Sequence, residues 1–109
     1  MNFNIENLSA NQKLQRAYLL INSGDDYSFV RQGLRALFRL SRDLEYVSSC
    51  DVWDLLENAR ITPNNPRSMG LVFKLAHKNG LIQRTDNYRP SRRPQANQRP
   101  VRIWRFFDE

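Results

Sequence analysis

Arg67, Lys74 and Lys78 recur at helical spacing, and at about 100° per residue they fall in one stripe about 40° wide. Ser68, Gly70 and Leu71 accompany the stripe, and Met69, Val72, Phe73 and Ala76 form the opposite, apolar face. Cations presented in a line without acids bind phosphate. An arginine near the start of such a helix can also reach guanine O6 and N7 with both arms. Arg67 is placed for that second role, and Lys74 and Lys78 for phosphate contacts. Gly70, lacking a side chain, would let the backbone approach a phosphate or base edge, or else would allow tight packing on the preceding helix. His77 lies beside the core face and is expected to be structural, or at most a phosphate contact.

A second cationic group follows. Arg84, Arg89, Arg92, Arg93, Arg99 and Arg102 surround Pro90, Pro94 and Pro100, and from Arg60 through Arg105 the single acid is Asp86. The whole chain of 109 residues carries a net charge of +6. That figure divides unevenly, because residues 1–59 hold six basic and eight acidic residues whereas residues 60–109 hold eleven and three. The field is therefore concentrated in one half, which favours a polyanionic partner over a merely solubilising surface. About five neutralised phosphates would give a slope of log K on log salt near −4.5.

Other chemistry is poorly supported. Cys50 and His77 are the single cysteine and histidine, so one chain offers no disulfide framework and no Cys/His metal cluster. Cys50 is expected to be a small buried hydrophobe. Asp51, Asp54 and Glu57 could suggest a metal or acid–base site, but carboxylates in the first turns of a helix already interact favourably with its dipole. With no phosphate-cradling glycine loop and no nucleophile beside a base, the sequence does not read as an enzyme and implies no cofactor. No apolar run approaches the ~20 residues of a membrane span, so a soluble, cytoplasmic protein with no membrane partner is expected.

The elements that must position these groups are bounded by local signals. Ser9 and Gln12 form a capping box ahead of Leu14, Ala17, Tyr18 and Ile21, predicting a helix over 10–22 that stops at Asn22-Ser23-Gly24. Asp25-Asp26 precede Val30, Leu34, Leu37 and Phe38, which predicts a helix over 27–42 with an Asp N-cap. Glu45-Tyr46-Val47 allows one short strand. Ser48 and Asp51 make an acidic capping box, with Val47 and Val52 as a hydrophobic staple, so a third helix covers 49–58 and buries Val52, Leu55, Leu56 and Trp53. Asn65 as N-cap, Pro66 at the first helical position and Gly80 past the end predict a fourth helix over 66–79. Residues 81–85 and 101–106 alternate as two paired strands, and Asn87–Pro100 is expected to be a basic loop too rich in proline to pair at its tip.

Helix, short strand, helix, turn, helix, strand, basic loop, strand is the order of a winged helix-turn-helix, an α+β fold with a three-helix core and a hairpin wing. The segments Tyr46–Trp53, Asn65–Phe73, Gly80-Leu81-Ile82, Tyr88–Pro94 and Val101–Arg105 resemble the winged-helix domain of small DNA-binding proteins encoded by phages and other mobile elements. The resemblance covers about 28–106. It rests on Asn65-Pro66 followed by Gly70, with Met69 where that family has Trp, and on Tyr88, Ser91 and Arg93 in the wing. It implies double-stranded DNA binding through recognition helix 66–79 and basic wing 84–105, by a transcriptional regulator or an accessory factor in DNA transactions. The wing arginines Arg89, Arg92 and Arg93 would enter a minor groove or follow the backbone.

The division expected is an N-terminal helical extension over 1–26 and a winged-helix domain over 27–109. The face of Leu14, Ala17, Tyr18 and Ile21 either caps the core or pairs two copies into a homodimer. A winged helix can also serve as a protein–protein module, such as an inhibitor or adaptor acting on host machinery, so a protein partner is the alternative reading. Stacking of Tyr88, Trp104, Phe106 and Phe107 on unpaired RNA bases is a weaker third.

Overall fold

The computed structural model describes residues 8–22, 24, 26–93 and 99–107. Ser23, Asp25 and Pro94 lie outside them. The described residues form an α+β fold of four helices and a three-stranded antiparallel sheet.

Helix α1 spans Ala10–Leu19 behind the expected box, in which Gln12 N donates to Ser9 Oγ at 3.2 Å and Ser9 N to Gln12 Oε1 at 3.0 Å. It ends short of residue 22, with Leu20 as C-cap. Leu14, Ala17, Tyr18 and Ile21 are all buried within the chain's own core, together with residues of the other helices and the sheet. The face that was expected either to cap the core or to join two copies therefore caps the core, and α1 shares that core rather than standing outside it.

Helix α2 covers Tyr27–Leu40, two residues shorter than expected. Asp26 occupies its N-cap position without capping it. Its carboxylate instead accepts from Asn64 N at 2.6 Å, Asn65 N at 3.3 Å and Ser68 Oγ at 3.3 Å, so it organises a turn 38 residues or more away. Gly33 on this helix admits Val72 so closely that a Cβ would meet Val72 Cγ2 at 2.6 Å.

Strand β1 is Tyr46–Val47, and helix α3 is Ser49–Asn58. Asp51 accepts from Ser48 N at 2.8 Å as the capping box requires, and the staple residues Val47 and Val52 are completely buried. Val52 and Leu56 enter the core fully, whereas Leu55 and Trp53 pack partly buried at its edge. The helix ends with Ile61 N on Leu56 O and Arg60 N on Glu57 O, both at 2.9 Å, a Schellman turn whose left-handed position is held by Arg60 at φ 59°.

Helix α4 is Ser68–Lys78 and begins two residues later than expected. Asn65 does not cap it. The Asn65 side chain accepts from Arg67 N at 3.0 Å and its carbonyl from Ser68 N at 2.9 Å, so Asn65-Pro66-Arg67 is a tight turn before the helix rather than its first turn. Gly80, at φ 79°, is the C′ residue as expected, with Leu81 N on Ala76 O at 2.9 Å.

The sheet has the order β1-β3-β2. Strand β2 is Ile82–Pro90 and strand β3 is Pro100–Phe106, so the pairing extends well into the segment expected to be loop. Pro90 pairs with Pro100 at the strand ends, and Ser91 N still reaches Arg99 O at 2.9 Å. Prolines are tolerated there because they sit at strand ends, where a missing N–H breaks no ladder. Between the pairs Arg84↔Trp104 and Tyr88↔Arg102 strand β2 carries two more residues than β3, a bulge. Thr85 holds it, donating through Oγ1 to Ile103 O and accepting from Asn87 N.

Candidate nucleic-acid interface

Burial of Met69, Val72, Phe73, Leu75 and Ala76 fixes the rotation of α4. Its opposite face therefore stands in water: Arg67, Gly70, Lys74 and Lys78 are exposed, and Leu71 is half-buried beside them. Arg67, Lys74 and Lys78 have no acidic partner among the described residues. A Cβ placed on Gly70 would meet nothing within 4 Å, so this glycine is not required for packing on α3 and the surface above it is open. Ser68 is engaged by Asp26 and faces the turn rather than the stripe. A helix about 10–12 Å across with such a face fits the ~12 Å major groove of duplex DNA.

The hairpin joins this face through Trp104, which in the sequence is one of several strand aromatics. Its ring lies 5.8 Å from Phe73 and 5.4 Å from His77, both on α4. His77 is exposed, and its ring meets that of Trp104 at a tilt of 56°. Arg84, opposite Trp104 in register, sets its guanidinium 6.0 Å from that ring and extends the cationic face onto β2. The signal for this was present in the alternation of β3: Arg102, Trp104 and Phe106 share one face.

Arg102 serves a different end. Its Nη1 donates to Thr85 O at 2.7 Å, and its guanidinium lies 5.0 Å from the Tyr88 ring and 5.9 Å from Trp104. It braces the bulge. Arg99 is exposed near the hairpin end.

Arg89, Arg92 and Arg93 of the hairpin turn away from α4 and grip α3. Arg89 Nη2 lies 2.8 Å from both Asp51 Oδ2 and Ser48 Oγ. Arg92 Nη2 bridges Asp51 Oδ1 at 3.1 Å and Asp54 Oδ2 at 3.0 Å. Arg93 pairs with Glu57 and covers the Trp53 ring at 4.4 Å. The three carboxylates of α3 thus receive three arginines of the hairpin, in a clasp. Buried against it, Cys50 is 1% exposed, with Sγ 3.5 Å from Ser91 Oγ. Burial pushes this thiol up, but hydrogen bonds from Ser91 and the Arg92 backbone, with the Arg92 charge, bring it below its ordinary value.

The structure therefore brings Arg67, Gly70, Lys74, Lys78 and Arg84 onto one side and leaves Arg89, Arg92 and Arg93 on another. No group of three or more His, Cys, Asp or Glu among the described residues could hold a metal ion. No helix among them is long and apolar enough to cross a membrane. No family model, curated protein or solved structure matches the chain.

Proposed function

We infer that this chain is a winged helix-turn-helix protein that binds double-stranded DNA, with α3 and α4 as the helix-turn-helix pair and the β2–β3 hairpin as the wing. The order α2, β1, α3, α4, β2, β3 and the sheet order β1-β3-β2 support the fold assignment. The observation that carries the function is the exposed, acid-free line of Arg67, Lys74 and Lys78 around an unobstructed Gly70. In this reading α4 lies in the major groove, Arg67 reads guanine, and Lys74, Lys78 and Arg84 hold phosphates. Its role would be that of a regulator or accessory factor in DNA transactions.

The test is binding to random duplex, single-stranded DNA and RNA over a salt series, with molecular mass measured in parallel. Duplex is expected to bind best, and Lys74→Glu with Lys78→Glu to abolish binding while circular dichroism stays unchanged. Unchanged affinity in that double variant removes α4 as the recognition helix. Absence of binding to all three nucleic acids favours a protein partner instead.

A further inference from the structure

A second cationic line lies outside the face assigned to DNA. Arg31, Arg35, Arg39 and Arg42 on and just after α2 are all exposed. At about 100° per residue they occupy an arc about 80° wide. None has an acidic partner among the described residues. Gly33, which receives Val72 of α4, lies about 160° around the helix from the middle of that arc. The arginine ridge therefore faces away from α4, and DNA seated on α4 would leave it uncovered.

Beside the ridge, between α2 and α3, runs an open cleft of about 550 Å³. Phe38, Leu55 and Ile61 supply its floor, each only partly buried against the core, and Arg35, Arg39 and Arg42 stand at its rim. No acid lines it. A DNA backbone would use the rim and gain nothing from the apolar floor. A helix with acidic residues on its flanks and large apolar residues on one face would use both, since guanidinium pairs with carboxylate in a planar, two-armed geometry. From this charge complementarity over an apolar floor, we propose that the α2–α3 cleft docks an acidic amphipathic helix of a protein partner. The assignment is independent of DNA binding by α4.

The probe is a short synthetic fluorescein-labelled helix with Leu and Phe at i, i+4 and i+7 and Glu elsewhere, titrated with the full chain and followed by anisotropy. Saturable binding is expected, weakened about tenfold or more by Arg35→Glu with Arg39→Glu. Ala59→Trp, which fills the cleft without altering charge, should weaken it comparably, and circular dichroism verifies both folds. Lys74→Glu with Lys78→Glu should leave peptide binding unchanged, so failure here is separable from failure of the DNA assignment. The proposal is overturned by any of four results: no binding of the probe, equal binding of a polyglutamate peptide lacking apolar residues, displacement of the probe by duplex DNA, or native affinity in either cleft variant.

Discussion

Three single positions make opposite demands on the backbone. Arg60 adopts φ 59° at the C-terminal turn of α3, a conformation that costs an L residue about 1–2 kcal/mol and glycine much less. Arg60→Gly should therefore raise stability by about 0.5–1 kcal/mol after glycine's own entropic cost, whereas Arg60→Ala should give no gain; urea unfolding distinguishes them. Gly33 and Gly70 are both helical glycines but differ in what stands above them. A Cβ on Gly33 meets Val72 atoms at 2.6, 3.1 and 3.4 Å, so Gly33→Ala should destabilise by about 1–3 kcal/mol through overpacking. Gly70→Ala meets nothing and should be neutral or stabilising by up to about 1 kcal/mol. If Gly70 is where DNA comes close, the same variant loses duplex affinity while its melting temperature holds or rises. That combination is read from one thermal scan and one titration.

Among the elements, α3 does more than precede α4. Asp51 closes its own capping box and receives Arg89 and Arg92, with its side chain 17% exposed, whereas the Arg92–Asp54 pair is 58% and 62% exposed. Asp51→Ala should thus cost about 1–2 kcal/mol, because it frees a helix-end N–H and two charge-assisted hydrogen bonds. Arg92→Ala should cost about 0.5 kcal/mol or less, since exposed pairs contribute little. Denaturant midpoints of the two variants give the comparison directly. Much of this element-level architecture was legible in the sequence. Ser9 with Gln12, Ser48 with Asp51 and Gly80 are local signals whose geometry depends on a few neighbouring residues, and each appears where the sequence indicated it. What the sequence concealed depends on distance along the chain. Asp26 was placed as a cap by its position before α2, but its carboxylate serves Asn64, Asn65 and Ser68. Arg89, Arg92 and Arg93 looked like free cations because their partners lie 36 to 41 residues earlier. The prolines end the expected strand at residue 85, yet Pro90 and Pro100 face each other across the ladder and neither position needs an N–H there.

For the whole molecule, the division of charge along the sequence is partly undone in space. The acids of the first half, at Asp51, Asp54 and Glu57, neutralise arginines of the second, so the exposed cationic field that the second half presents around α4 is narrower than its sequence count implies. If Arg67 reads a base and only Lys74, Lys78 and Arg84 hold phosphates, the slope of log K on log salt should be about −2.7 rather than the −4.5 expected for five contacts. If DNA also draws Arg89, Arg92 and Arg93 off α3, six contacts bring the slope to about −5.4. A salt titration of duplex binding therefore reports whether the clasp stays shut on DNA. The bulge in β2 has a further consequence at this scale. Strand β2 is hydrogen-bonded on one side to β3 and forms a nine-residue outer edge of the sheet. A regular edge of that length would be a template for strand addition by another copy, and hence for aggregation. The two extra residues around Asp86 interrupt the row of backbone donors and acceptors, and Pro90 removes a donor near its end. The irregularity that Arg102 braces thus also keeps neighbouring sheets from zipping together, a protection that deleting Asp86 and Asn87 would abolish.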